Sequence, residues 1–473
     1  MNCHKYLAVV AVIAVFHGLS PFTAAADQLF FQGKPIISGV WRGEPAQYIG
    51  GEILVLFQAQ DVPADDIAKT VGGKIIRGVE ADGFAKIEVP VGADIPALCE
   101  KLYGDSRIRF AEPNFLATIG EWNPNDPYYT DGTQYSLRNT GQDPPNGVPD
   151  ADIDANWAWD YTRGDGDVKL AILDSGIDMD TSTMTLRHSD LNLAGKIIQG
   201  PDYIGDGYGV ADFNGHGTHV AGIASAETNN STGIAGVAED CDILVIQVFD
   251  AAGNGTYEAL RDGINYAVNY ENTHEGTRVV MNYSGGGGSG SDIILTALEN
   301  AETNSVPFVT ISHNDYSSTC RYPCQYSSDL TNLICVSSIE SNDEWPDYSN
   351  YCADVDVCAP GGWGTPVNEN KIWSCIPANT YGYKSGTSMA APHVTGICGL
   401  VVAYNMSITA ANLKTLIRNT SEDEVGLIAE DPEGEDNRHG YGRANAWGAI
   451  VHSPALVTPY LRDDQRCSNV FTA

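Results

Sequence analysis

Two kinds of apolar pattern alternate along the chain. From Val168 onward, short runs such as VKLAILD, CDILVIQVF, TRVVMNYS, VPFVTIS and NLICVSSI have the length of strands. Between them, THVAGIASA, YEALRDGINYAVNYE and SDIILTALENAE read as helices. Strands alternating with helices predict a parallel sheet covered on both faces. In such folds the chemistry lies at the carboxyl ends of the strands.

A smaller pattern precedes this one, over residues 49–116. Glu52 to Phe57 reads as a strand and Pro63 to Val71 as a helix opening after a proline. Lys74 to Val79 and Phe84 to Val89 read as strands, Ile95 to Tyr103 as a helix, and Ile108 to Ala111 as a last strand. That β-α-β-β-α-β order predicts a small ferredoxin-like α+β domain. Trp122 to Pro149, rich in Asn, Asp, Gly and Pro, reads as a linker or an arm laid over a surface.

At the N-terminus, Lys5 precedes an almost wholly apolar run from Leu7 to Phe16, and Ala24-Ala25-Ala26 offers small residues for cleavage. The run is too short to span a bilayer, so residues 1–26 read as a secretory signal. No later run reads as long enough to cross a membrane. The mature chain is therefore expected to be soluble and extracellular, with no membrane partner.

Composition adds little to this and charge adds one exclusion. With 43% hydrophobic residues the chain can bury a sizeable core. A net charge of −35, from 61 acidic and 26 basic residues, repels nucleic acid and anionic lipid, so neither is expected as a partner. Of 11 cysteines, Cys3 leaves with the signal and Cys99 lies in the small front unit. The crowd from Cys320 to Cys375 predicts one or two disulfides, and Cys398, inside ICGLVVAY, is expected to stay a buried thiol. No CxxC or cysteine–histidine cluster favours zinc.

Three short segments carry candidate chemistry. Asp174 closes VKLAILD and is followed by Ser175-Gly176, where a strand gives way to a turn. His216 lies in Asn214-Gly215-His216-Gly217-Thr218-His219-Val220-Ala221-Gly222, flanked by glycines, with a helix following. Ser388 lies in Ser385-Gly386-Thr387-Ser388-Met389-Ala390-Ala391-Pro392-His393-Val394. Gly386 allows a tight turn there, and Ser388 falls at a helix N-terminus where backbone N–H groups lack intrahelical partners. Each residue alone is an ordinary structural one. Together a carboxylate, an imidazole and a hydroxyl supply the parts of an activated serine nucleophile.

The conjunction resembles the subtilisin family of serine proteases, whose chain order is Asp, His, Ser. DSGID, NGHGTHVAG and GTSMAAPHV are its three blocks here, and PNDPYY and TNNSTGIAG look like the thermitase branch. The likeness covers about residues 122–452, down to Gly440-Tyr441-Gly442-Arg443-Ala444-Asn445-Ala446. The GxSxG elbow of α/β-hydrolases is absent around Ser388. The resemblance implies a three-layer α/β fold with a central parallel sheet. It also implies a monomeric secreted endopeptidase, made as a zymogen and acting on protein or peptide substrates. In that reading His216 is general base and then acid, Asp174 fixes its tautomer, and Asn314 and the Ser388 N–H hold the oxyanion.

By the same resemblance, Ser284-Gly285-Gly286 and Gly253-Asn254-Gly255 form two walls that grip an extended peptide through main-chain groups. Composition alone reads the glycine run from Gly285 to Gly288 as a flexible linker, but its place after a strand inside a domain favours backbone groups left bare for an extended peptide. His313 departs from the family, which usually has glycine before the oxyanion asparagine, and this bears on the shape of the primary pocket. Arg321, before Tyr322-Pro323, sits where relatives have the pocket floor. A cation there would favour an acidic substrate residue, unless Arg321 pairs with a local carboxylate instead.

The thermitase likeness further implies a structural Ca²⁺. Asp126, Asp190 and the loop Glu227 to Ile234 would hold it, with an Asn230 side-chain oxygen and the carbonyls of Glu227, Thr232 and Ile234. A weaker site around Asp202, Asp206 and Asp212 is a further expectation. The segment from Asp178 to Arg187 is longer than relatives carry. The domain expectation is thus a signal (1–26), an inhibitory and chaperone-like pro-segment (27–120, core about 49–116), a catalytic domain (121–456) and a tail (457–473). Processing is expected between about Thr118 and Asn123. Two rival readings, a pseudoprotease that only binds and an exported structural protein, would show as no acylation of Ser388 or as a chain that never loses its front unit.

Overall fold

The computed structural model describes residues 30–31, 34–42, 44–59, 61–115, 122–142, 147–363, 370–426 and 434–453. The expected signal, processing segment and tail lie outside these. Contacts divide the chain into two compact units, Met1–Gly120 and Glu121–Ala473.

The first unit is an antiparallel sheet of β1 (Phe30–Phe31), β2 (Lys34–Trp41), β3 (Glu44–Phe57), β4 (Lys74–Arg77), β5 (Phe84–Glu88) and β6 (Ile108–Phe115). Its central strands run β6-β3-β5-β4, the ferredoxin-like order. Helices Ala64–Thr70 and Ile95–Tyr103 cover one face. Alternation explains which face: Ile53, Val55, Ala85 and Ile87 point into the core against Ile67, Cys99 and Leu102. Asp94 caps the second helix by accepting from the Ala97 N–H at 3.1 Å. The unit begins earlier than residue 49, because the first half of β3 pairs with β2. Prolines and glycines in KPIISGVW and EPAQYIGG obscure the alternation there.

The second unit is built on seven parallel strands: β7 (Val168–Asp174), β10 (Ile197–Asp202), β11 (Asp242–Gln247), β12 (Arg278–Tyr283), β13 (Phe308–Ile311), β14 (Leu333–Ile339) and β15 (Val357–Pro360). A small hairpin, β8 (Met179–Asp180) with β9 (Thr185–Leu186), fills the long segment after β7. A second hairpin pairs β16 (Ile372–Ile376) with β17 (Thr380–Lys384). The sheet order is β10-β11-β7-β12-β13-β14-β15. The first strand, β7, therefore lies between β11 and β12, where the winding direction changes and where ligands bind in such sheets. Every residue of β7 is buried. Leu170 and Ile172 face the layer containing helices His216–Ser225 and Thr387–Tyr404, whereas Ala171 and Leu173 face helices Tyr257–Thr273 and Asp292–Thr303. A strand covered on both faces has no polar side to show, which is why VKLAILD reads as a continuous apolar run.

Helix Thr387–Tyr404 corrects one expectation. Its 18 residues have a mean hydropathy of 1.2, long and apolar enough to cross a membrane by composition, yet 89% of the window is buried inside the protein. It is a core helix. The two ends of this unit are clasped together: Asn445 Nδ2 donates to Asp154 Oδ2 at 2.6 Å, and Ala446 N–H to the Ile153 carbonyl at 2.8 Å. Helix Ala155–Ala158 then packs on helix Ala446–His452. Disulfides join Cys320 to Cys352 and Cys324 to Cys335, while Cys398 is a buried thiol.

Candidate active site

Asp174 ends β7 and is fully buried. Its carboxylate receives His216 Nδ1, with 2.8 Å to Oδ1 and 3.0 Å to Oδ2. His216 opens helix His216–Ser225. Gly217 is required beside it, since an added Cβ would lie 2.4 Å from the Gly176 carbonyl oxygen. Asp212 fixes this turn from the other side. Its Oδ1 accepts from Asn214 N–H, Gly215 N–H and Ser175 Oγ, and its Oδ2 from Thr218 N–H and Oγ1. A carboxylate so placed satisfies the helix N-terminus. Of the residues named for a weaker calcium site, Asp212 caps this turn, while Asp202 and Asp206 each accept from backbone N–H groups of their own turns.

The electrostatics single out His216. Burial works against its protonated form, but the Asp174 charge and hydrogen bond outweigh it and raise its pKa above the ordinary 6.5. The neighbouring buried histidines go the other way. Desolvation pushes His219 down to about 3 and His393 to about 4. Both are structural, His219 against the Gly382 carbonyl and His393 between the Met389 carbonyl and Ser136 Oγ.

Ser388 stands in the first turn of helix Thr387–Tyr404, largely covered at 9% exposure. Its hydroxyl donates to the Ser284 carbonyl at 3.4 Å, the one hydrogen bond it makes among the described residues. The structure therefore joins His216 to Asp174 directly and leaves the Ser388 hydroxyl on a long bond next to Ser284. The turn itself is pinned to two strand ends. Ser284 Oγ, just past β12, donates to the Ser388 carbonyl at 3.0 Å. Asn314, past β13, accepts from Thr387 N–H and Oγ1, both at 2.9 Å. Behind Ser284 runs a buried chain, Thr395 Oγ1 to Asn282 Oδ1 (2.8 Å) and Asn282 Nδ2 to Ser284 Oγ (3.0 Å). Asn282, Thr387, Thr395 and Asp212 were not anticipated for these supporting roles. For Asp212, Thr387 and Thr395 the only signal is their position within or next to the motif blocks, and for Asn282 it is its place at the end of a strand-like run.

Of the two expected walls, Gly253 to Gly255 is exposed, whereas Ser284 and Gly285 are buried and Gly286 is half-buried. Gly253, Asn254 and Gly255 form a tight turn closed by Asp250, whose N–H donates to the Asn254 carbonyl at 2.9 Å. Asn214 Nδ2 ties it to the His216 loop through the Ala251 carbonyl at 3.1 Å. Gly285 and Gly286 continue β12, and Gly287 exchanges backbone hydrogen bonds with Tyr322 at 2.8 and 3.0 Å. This segment is thus pinned to Tyr322 by an isolated antiparallel bridge and is no flexible linker. An added Cβ on Gly286 would lie 3.3 Å from His313 Cδ2 and 3.4 Å from Arg321 Cβ. Gly286, His313 and Arg321 therefore meet. Arg321, however, is engaged: Nε and Nη2 grip Asp315 Oδ2 and Oδ1 at 2.5 and 2.8 Å.

Residues 165–442 match the subtilase family, and residues 38–114 match the fervidolysin N-terminal prodomain. The chain belongs to the subtilase family. It is a serine endopeptidase that carries an N-terminal prodomain. It is similar to the thermophilic serine proteinase of Bacillus sp. (strain AK1), 34% identical over 95% of this chain and 100% of that protein. Thermitase of Thermoactinomyces vulgaris is 36% identical over 70% of this chain and its own full length. A solved protease structure from Pseudoalteromonas arctica PAMC 21717 covers 70% of this chain and 100% of its own, with a TM-score of 0.58 and 27% identity.

In this subtilase the residues expected around calcium converge. Asp126 and Asp190 are both fully buried, and neither has an ion-pair partner among the described residues. Asp126 accepts from Asn229 and Asn230 N–H, while Asp190 accepts from Asn230 Nδ2, Ile234 N–H and Tyr381 OH. Burial raises both carboxyls, Asp190 to about 6. Glu227 adds a buried Oε1 with no hydrogen-bond partner. Asn230 turns its amide nitrogen, rather than the expected oxygen, toward Asp190, and its Oδ1 accepts from Thr232 N–H at 2.7 Å. Two fully buried carboxyl groups and the buried, unpartnered oxygen of half-buried Glu227 suit a hard cation.

Proposed function

We infer that Asp174, His216 and Ser388 are the catalytic triad of a secreted zymogen that hydrolyses peptide bonds through an acyl-enzyme. The observation that carries this is the hydrogen bond from His216 Nδ1 to a buried carboxylate, together with a serine held at a helix N-terminus. Nδ1 is committed to Asp174, so Nε2 is the basic nitrogen. The 3.4 Å bond that holds the Ser388 hydroxyl to Ser284 is long and weak, so the side chain leaves it at small cost to engage that nitrogen. His216 takes the hydroxyl proton as Oγ attacks the carbonyl carbon, and returns it to the leaving amine. Water then repeats the cycle on the acyl-enzyme. Asn314 is held by its carbonyl end, so its NH₂ end is the one left to donate to the oxyanion, alongside the Ser388 N–H. Gly253 to Gly255 and Ser284 to Gly286 pair with the substrate backbone.

Calcium, held by Asp126, Asp190 and the Glu227 to Ile234 loop, supplies the positive charge that these buried carboxylates lack and takes no part in the reaction. Residues 1–26 direct export, and residues 27–120 are removed after folding. The test is expression of the full chain beside Ser388→Ala. The expected result is loss of the front unit and fluorophosphonate labelling in the wild type alone. A wild-type chain freed of residues 1–120 that neither labels nor cleaves protein would refute the assignment.

A further inference from the structure

We propose that Asp315 sets the charge of the pocket beside the nucleophile, holding Arg321 in a neutral pair so that the enzyme favours uncharged side chains on the acyl side of the cut. The proposal rests on the reading of Ser388 as nucleophile. Its geometry is independent of that reading. Asn314 is clipped to Thr387, which fixes the flanking residues His313 and Asp315 beside the Ser388 turn. Gly286 lies opposite, and an added Cβ there would contact both His313 and Arg321. The surface next to the nucleophile turn is thus built from Gly286, His313 and Arg321, with Asp315 gripping the guanidinium in two parallel hydrogen bonds.

The carboxylate is well fixed. Asp315 N–H donates to Asn350 Oδ1 at 2.8 Å, and the neighbouring Cys320–Cys352 disulfide ties the two segments together. Hydrogen bonding from Arg321, against a smaller effect of burial, holds the Asp315 carboxyl below its usual range. His313 Nδ1 lies 3.1 Å from Asp315 Oδ2. Burial keeps that imidazole below the ordinary histidine range, with Asp315 pulling the other way, so it adds no full charge at neutral pH. The wall then carries one positive and one negative group, at 38% and 36% exposure. A pair this open contributes little to fold stability, so either partner can be removed without losing the domain. What changes is the field: removing Asp315 uncovers a cation, and removing Arg321 uncovers an anion. The acid preference that Arg321 suggests by itself is therefore cancelled by a residue six positions away.

The experiment compares kcat/KM for three peptide anilides that differ only in Leu, Glu or Lys before the cut. They are assayed with wild type, Asp315→Asn, Arg321→Gln and the double variant, each normalised to sites titrated with a fluorophosphonate. Wild type should prefer Leu. Asp315→Asn should raise the Glu/Leu ratio on the order of tenfold, Arg321→Gln should raise Lys/Leu similarly, and the double variant should return both toward wild type. A wild-type preference for Glu or Lys, or single variants whose ratios stay within about twofold, would overturn the proposal. A wild type that fails to label and cuts none of the peptides overturns the assignment of Ser388 instead, so the two failures are distinct.

Discussion

Asn314 has two jobs that substitution can separate. Its Oδ1 satisfies two donors of buried Thr387, and its NH₂ is the donor proposed above for the oxyanion. Asn314→Ala removes both. Losing the donor should lower kcat on the order of 10²–10³, about 2.7–4 kcal/mol, a magnitude known from subtilisin itself, a member of this family. Leaving the Thr387 donors unmatched should destabilise the fold by about 1–2 kcal/mol. Asn314→Asp keeps an acceptor for Thr387 but puts a negative oxygen where the NH₂ was. Stability should then stay within about 0.5 kcal/mol of wild type while kcat falls at least as far as in the alanine variant. KM should hold in both, because the lost bond belongs to the transition state. Steady-state hydrolysis of a peptide anilide, corrected for titrated sites, gives the kinetics, and thermal unfolding of the acylated enzyme gives stability. An aspartate variant retaining more than about a tenth of wild-type kcat would refute the reasoning.

The remaining predictions concern pH, metal and cross-links. The base must be neutral, so wild-type kcat/KM should fall as pH drops through a value above 6.5, where Asp174 holds His216. Asp174→Asn removes the raising effect and leaves burial, so the acid limb should move to lower pH while kcat drops about 10⁴-fold; a limb that stays put contradicts the pairing. Chelation with EDTA should lower the unfolding temperature, by an amount equivalent to about 4 kcal/mol if the site is saturated a thousandfold. Asp126→Asn should abolish that sensitivity, and equal melting with and without chelator argues against the site. Replacing Cys320 and Cys352 with serine opens a loop of 32 residues and should cost about 3–4 kcal/mol, read by denaturant unfolding.

What could be read from the sequence follows from how local each feature is. β7, β11 and β14 are legible because strands buried on both faces are apolar throughout. The three motif blocks are legible because glycines at fixed offsets mark turns that nothing else tolerates, as at Gly217. The pairing of β2 with β3 was hidden, since Pro35, Gly39 and Pro45 break the alternation. Long-range partners were hidden too. Nothing near Asn282 in the sequence points to Thr395, 113 residues on. The Arg321–Asp315 pair is close in sequence, but only the bridge between Gly287 and Tyr322 brings it to the wall of the site. Disulfide partners were open for the same reason: spacing limits which thiols can meet, and only the fold decides which do.

The clasp between Asp154 and Asn445 has a consequence in time. Its two halves are 291 positions apart, so a polypeptide made from its N-terminal side holds Asp154 idle until Asn445 has followed. The nascent catalytic unit stays unlatched for the synthesis of those intervening residues. Any product cut short before Asn445 lacks the latch altogether. Such a fragment should be open to digestion by finished copies of the same enzyme, so incomplete chains remove themselves.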